Sequence, residues 1–178
     1  NDGNSIGIAD PGFAALGNSV PLGIPTPLWT FIFCLVIFGL LLHRTVYGRN
    51  SLAIGGNREA AHLAGVPTRK VQITIFALLS FLAALAGIVS AAQQQIGDPK
   101  TMQGLELRVI SACVLGGVSL TGGIGSIAHV IVGVMIMGTV QNVMDLKGVS
   151  TFYQYLISGA ILLAAVLLDR LKQRGTSR

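Results

Sequence analysis

The sequence predicts an all-α integral membrane protein, a polytopic helical bundle with about five transmembrane helices. Three observations predict it. Hydrophobic residues make up 52% of the 178 residues and charged residues only 11%, with a mean hydropathy of +0.70, whereas about a quarter of an ordinary soluble domain is charged. The apolar residues are gathered into long runs without the period-two alternation of a barrel strand. The basic residues behind the net charge of +5 cluster at the ends of those runs, the pattern of a membrane protein and not of a nucleic-acid binder.

Residues 1–27 are polar and rich in Gly and Pro, which predicts an extramembrane loop. No signal peptide is expected in the chain, which does not begin with Met, and residues 28–178 are expected to be the C-terminal part of a longer membrane domain. The first span is expected from Pro27 and Leu28 through Trp29, Phe31 and Phe33 to Val46. Proline suits a first helical turn, where its missing N–H would be unpaired. Trp29 and Tyr47 fit the two interfaces, and Arg44 can snorkel outward. About 19 residues rising 1.5 Å each give about 28 Å, the thickness of the hydrocarbon core.

A polar segment, residues 48–70, follows. The second span is expected over residues 71–92, with Ala83, Gly87 and Ala91 forming a small-residue face. Gln93, Gln94 and Gln95 are expected to cap its end, and Gly97-Asp98-Pro99-Lys100 reads as a turn. From Val109 to Met144 no residue carries a formal charge, too long a stretch for one helix in a bilayer. The glycine-rich residues 116–126 divide it into expected spans at 105–121 and 126–144. The loop Lys147-Gly148-Val149-Ser150 leads to a last span at 152–168, with Tyr153 and Tyr155 at its outer end and a basic tail at 169–178.

Five spans put Arg44, Arg49, Arg58, Arg69, Lys70, Arg170, Lys172, Arg174 and Arg178 on one side. The other side receives Lys100, Arg108 and Lys147 with Asp2, Asp10, Asp98, Glu106 and Asp145. The basic side is the cytoplasmic one, so residues 1–27 are expected outside, in the periplasm, and loop 48–70 and the C-terminus in the cytoplasm. In a competing reading, residues 116–126 form a re-entrant hairpin that would separate the basic tail from the basic loop.

The polar loop holds the most specific signal. Asn57 is a good N-cap, Glu59 suits the positive end of a helix dipole, and Ala60, Ala61, Leu63 and Ala64 are mostly strong helix formers. Gly65 permits a left-handed stop and Pro67 prevents a restart. The helix is about two turns long, too short to persist alone in water, so it must pack on something. The competing reading, a helix lying on lipid headgroups through Arg58, Arg69 and Lys70, lacks large apolar anchors other than Leu63.

Glu59-Ala60-Ala61, followed after three residues by Gly65, resembles the cytoplasmic-loop signature of ABC-type importer permeases. The usual downstream ending of the maltose-type permeases is absent, and the chain has Ile75-Phe76-Ala77-Leu78 in its place. Thr45-Val46-Tyr47-Gly48-Arg49-Asn50, Ala53-Ile54-Gly55-Gly56-Asn57 and Val114-Leu115-Gly116-Gly117-Val118-Ser119-Leu120-Thr121-Gly122-Gly123-Ile124-Gly125 are similar to the sugar branch that holds the ribose, xylose and L-arabinose permeases. Val20-Pro21-Leu22-Gly23-Ile24-Pro25-Thr26-Pro27-Leu28-Trp29 and Leu42-His43-Arg44 look most like its L-arabinose members. The likeness runs from about Gly12 onward, and because such permeases are longer it implies a C-terminal half.

The resemblance implies a non-catalytic permease subunit in the bacterial inner membrane that imports a monosaccharide, a pentose with L-arabinose favoured. It implies a second permease subunit, a cytoplasmic ATP-binding subunit and a periplasmic sugar-binding protein as partners, besides membrane lipid and no nucleic acid. Asn57, Arg58, Glu59, Ala60, Ala61 and Gly65 would form the coupling segment, with Arg58 and Glu59 as charge partners and Ala60 and Ala61 as packing residues. Gln94, His129, Gln141 and Asn142 are candidate contacts for the pathway or the binding protein, because side-chain amides both donate to and accept from sugar hydroxyls. Helix packing through a hydrogen bond competes for His129, and interfacial capping competes for the amides.

No nucleophile–base pair, metal-ligand spacing, paired carboxylates or phosphate loop is present, so no catalytic residue, metal or cofactor is expected. Cys34 and Cys113 are expected to pack as small apolar side chains. A branched-chain amino acid permease shares the layout and is the nearest alternative. An ion-coupled transporter would usually place a charge within a span, but Glu106, Asp145 and Asp169 fall at span ends. A purely structural subunit would not need the capped helix.

Overall fold

The computed structural model describes residues 5–8, 10–98 and 102–176, with side chains described up to residue 167. The expected turn residues Pro99 and Lys100, the residue Asp2, and the side chains of the tail at 169–178 lie outside the described residues. The all-α expectation holds apart from one two-residue strand pair. Helices Thr26–Arg44, Thr68–Gln94 and Ile127–Leu146 are long and apolar enough to cross a membrane, and the apolar stretch Thr151–Leu167 is a shorter one. Two compact units divide the chain.

The first unit comprises Asn1–Asn50 and Gly65–Met102. Strand β1 (Ile6–Gly7) pairs antiparallel with β2 (Ile96–Gly97), Ile6 opposite Gly97. Helix α1 (Pro11–Asn18) follows, so the loop expected over residues 1–27 contains folded elements. Its start is set by Asp10, whose Oδ1 accepts from the N–H of Gly12 at 2.7 Å, and by proline in the first turn. Helix α2 (Thr26–Arg44) starts within two residues of its expected place. Helix α5 (Thr68–Gln94) extends the expected second span at both ends and stops where Gln95 turns left-handed, at φ 54°. The end of α5 carries α1: a methyl on Gly17 would run into the backbone of Ala92 and Gln93, and the Asn18 amide donates to the Ala92 carbonyl at 3.3 Å.

An eleven-residue helix that sequence reasoning did not anticipate, α3 (Val46–Gly56), follows α2. Thr45 makes the break with extended backbone, φ −111° and ψ 157°. Its hydroxyl donates to the Leu41 carbonyl and accepts from the Gly48 N–H at 3.2 Å, closing one helix and capping the next.

The second unit comprises Ser51–Ala64 and Gln103–Arg178. It holds the six-residue helix α4 (Arg58–Leu63), α6 (Leu105–Leu115), α7 (Ile127–Leu146) and α8 (Thr151–Thr176). The third span, expected over 105–121, is corrected here: α6 has 11 residues, about 16 Å of helix, roughly half of a hydrocarbon core. It stops because Gly116 caps it and Gly117 takes φ +80°, although the apolar content continues through Val118 and Leu120. Helix α6 packs against both α7 and α8. Among the described residues the largest fully buried side chains are Ser111 of α6 and Ser158 of α8, at 0% and 1% exposure. The Ser111 hydroxyl donates to the Leu107 carbonyl at 2.6 Å. A methyl on Gly133 of α7 would collide with the Ala112 carbonyl of α6, and one on Gly116 would lie 2.6 Å from the His129 carbonyl oxygen. Backbones therefore approach closely, the usual manner of helix association in lipid. The large apolar side chains Phe33, Phe76, Phe81, Met135 and Leu163 lie outward and exposed.

Candidate functional site

Helix α4 has the defined ends that local chemistry predicts. Asn57 is extended, at φ −155° and ψ 105°, and its Oδ1 accepts from the Ala60 N–H at 3.0 Å. The Ala61 N–H donates to the Asn57 carbonyl at 3.0 Å, and the Ala64 N–H to the Ala60 carbonyl at the same distance. Gly65 then takes φ +83°, a conformation that favours glycine. The Asn57 N–H still donates to the Ala53 carbonyl of α3 at 3.0 Å, so no slack separates the two helices.

The helix has two faces. Ala61 is buried at 6% exposure, within this chain's own fold. Arg58, Glu59, Ala60, His62 and Leu63 are exposed, Leu63 at 83%. Exposed Arg58 and Glu59 thus share this short helix with the exposed apolar side chains of Ala60 and Leu63. That mixture suits a shallow, charge-selected fit, with a large apolar side chain to fill a pocket on the other surface.

At the end of α3, just ahead of α4 in sequence, backbone meets backbone. A methyl on Gly55 would lie 2.5 Å from the Gly123 nitrogen, and one on Gly123 would lie 2.7 Å from the Gly56 Cα. Gly122, at φ +94°, comes as close to the Gly55 carbonyl. The turn at 119–124 that makes this contact is closed on itself. The Ser119 N–H donates to the Ile124 carbonyl at 3.0 Å, and the Gly122 N–H to the Ser119 carbonyl at 3.2 Å.

The candidate contacts lie on α5 and α7. On α5, Gln94 is exposed and donates to the Ser90 hydroxyl at 3.0 Å. His129 is exposed at the start of α7. Gln141 lies twelve residues farther along that helix, about 18 Å away along the axis. Asn142 is exposed, and Gln141 is half-buried. Gln141 belongs to a cluster that sequence reasoning missed, centred on Gln154 of α8. Gln154 is 6% exposed; its Oε1 accepts from Gln141 Nε2 at 2.8 Å, and its Nε2 donates to Asp145 Oδ1 and to the Val149 carbonyl, each at 2.9 Å. The available signal was an amide between two tyrosines in the first turn of an apolar helix. Next to it, Tyr155 donates to the Gln103 carbonyl at 2.9 Å, and the Arg108 guanidinium lies 5.9 Å from its ring centroid. Among the described residues, no group of three His, Cys, Asp or Glu side chains could hold a metal ion.

Comparison with known proteins decides the family. Residues 4–166 match the model of the branched-chain amino acid transport system / permease component family. The chain belongs to this permease family. This permease chain is 55% identical, over 98% of its length, to the L-arabinose transport system permease protein AraH of Escherichia coli, of which it covers 53%. It is 43% identical to the ribose import permease protein RbsC of Bacillus subtilis, over 96% of the chain and 54% of that protein. It is 44% identical to the xylose transport system permease protein XylH of Haemophilus influenzae, over 83% of the chain and 39% of that protein. The chain thus spans about half the length of the curated relatives it matches. No solved structure matches it significantly. Family and helices together make the permease chain part of a multi-pass membrane protein.

Proposed function

We propose that this chain is the C-terminal half of a permease subunit of an ATP-binding-cassette importer that moves a pentose, with L-arabinose favoured, into the cytoplasm. The observation that carries the reading is the capped, exposed helix α4 with Glu59 in its first turn. Identity to relatives named for arabinose, ribose and xylose supports a sugar cargo over the amino acid in the family description. The permease does no chemistry. It gates the pathway, while a cytoplasmic ATP-binding subunit docks on α4 and supplies the energy. Arg58, Glu59, Ala60 and Leu63 form the docking contact. Asn57 and Gly65 fix its ends, and Ala61 seats it on the permease.

A second permease subunit completes the pathway and a periplasmic sugar-binding protein delivers the cargo. The nine basic residues assigned to one side against three on the other support a cytoplasmic loop at 48–70, a cytoplasmic C-terminus and a periplasmic segment at 1–27, in the bacterial inner membrane. Gln94, His129, Gln141 and Asn142 remain proposed contacts for sugar or binding protein. The Gln141–Gln154–Asp145 cluster orients Gln141.

Vesicles holding the full-length permease with its ATP-binding subunit and binding protein test this. Labelled L-arabinose is expected to accumulate only with ATP inside the compartment that holds the ATP-binding subunit, and unlabelled branched-chain amino acids should not compete. Uptake driven by an ion gradient without ATP would overturn the importer reading, and competition by leucine would overturn the sugar.

A further inference from the structure

We propose that the contact of Gly55 with the Gly122–Gly123 turn is the joint through which α4 drives the α6–α7 hairpin. The proposal rests on the importer reading above and adds the route of the force. Four observations carry it.

First, the contact is made by backbone alone, with no side chain between. A methyl on Gly55 would stand 2.5 Å from the Gly123 nitrogen, so a displacement of Gly55 cannot be absorbed by a change of rotamer. Close-packed contacts of this kind transmit strain. Second, nothing slack lies between the joint and α4. Only Gly56 and Asn57 intervene, and the Asn57 N–H continues the α3 bonding to Ala53. Third, the turn is tied to both helices of the hairpin. The Val118 N–H donates to the Cys113 carbonyl of α6 at 3.0 Å, the Ser119 N–H to the Ile124 carbonyl, and Gly116 abuts the His129 carbonyl of α7. Fourth, Ser51–Ala64 belongs to the compact unit of α6, α7 and α8, although Asn1–Asn50 and Gly65–Met102, on either side of it in sequence, make up the other unit. A push on α4 therefore enters the body of α6, α7 and α8.

Gly55 tests this cleanly because it lies within α3 and needs no left-handed backbone. Alanine there favours the helix itself, and the three atoms nearest the new methyl all belong to the joint. Gly55→Ala in the full-length complex is expected to keep the ATP-binding subunit bound and hydrolysing ATP, while the ATP consumed per sugar imported rises about tenfold, the scale of a mutation in a coupling route. Gly138→Ala in α7, with nothing within 4 Å of the new methyl, is the control and should match the wild type. An unchanged ATP-to-sugar ratio in Gly55→Ala would overturn the joint. So would loss of the bound ATP-binding subunit, because the contact would then only support docking. Where the wild type itself shows no ATP-dependent uptake, the importer reading fails and the joint with it.

If Gly55→Ala does not accumulate in the membrane, hydrogen exchange on the wild-type complex decides. On trapping the nucleotide-bound state, peptides from residues 57–64 and 116–126 should change protection together. A change in the first without the second would overturn the proposal.

Discussion

Replacing Asn57 by alanine removes one bond from a six-residue helix. In α4 the Ala60 N–H is the first-turn donor that a side chain satisfies, through Asn57 Oδ1 at 3.0 Å, and the bond is exposed to solvent. Losing an N-cap of this type costs about 1 kcal/mol, with the exposed setting toward the lower end of a 0.5–2 kcal/mol range. In a large helix that loss would be diluted. Here it falls on a segment too short to hold itself, so the local opening equilibrium should shift roughly fivefold. Hydrogen exchange over residues 57–64 in the permease alone measures it directly, and uptake in the assembled complex should fall by at most that factor if docking needs the formed helix. Asn57→Ser keeps a capping oxygen and should stay close to the wild type. Exchange at Ala60 as slow in Asn57→Ala as in the wild type would refute the reasoning, because α4 would then be held by the seat under Ala61 and not by its cap.

Three further outcomes follow from the same site and its surroundings. Glu59→Lys should insert and accumulate normally but cut coupled uptake by at least about tenfold, a change of about 1.4 kcal/mol, and persistent transport would show that Glu59 is not a required contact. Leu63→Asp, at 83% exposure, should change the stability of the permease by no more than the about 0.5 kcal/mol typical of a surface change, leaving its melting temperature nearly unmoved. Copurification of the ATP-binding subunit should drop sharply, and unaltered copurification would remove Leu63 from the docking face. Gln154→Leu strands the Gln141 amide and one Asp145 oxygen, a loss of about 1–3 kcal/mol. Thermal unfolding in detergent should show it as a clear fall in Tm, and a Tm equal to the wild type would mean that water replaces the amide at no cost.

Local chemistry was the legible part of this protein. Pro27 and Trp29 placed the start of α2, and the caps at Asn57 and Gly65 placed α4, because each such signal acts within a few residues of itself. Helix α3 was hidden because Val46, Gly48, Gly55 and Gly56 are poor helix formers, and its start depends on the Thr45 hydroxyl bridging two helices. The apolar content that runs past Gly116 and Gly117 predicts a longer α6, whereas backbone conformation decides the stop there. Helix α1 lay in a stretch whose glycines and prolines read as loop, although Asp10 and Pro11 were a start signal. The Gln154 cluster and the glycine contact at the end of α3 are not legible. They join residues far apart in sequence, and only tertiary packing brings them together.

The small-residue interior of α6 and α8 reverses the usual map of tolerance. In a soluble core the dangerous change is truncation, since a removed methylene leaves a void. In this permease the most fully buried places are occupied by Ser111 and Ser158 and crossed by bare backbone at Gly133, so at these three positions little can be removed. The dangerous change is growth by a single methyl group. Variation among related chains should therefore be read for upper limits on volume at these positions, and for apolarity alone at Phe33 or Phe81.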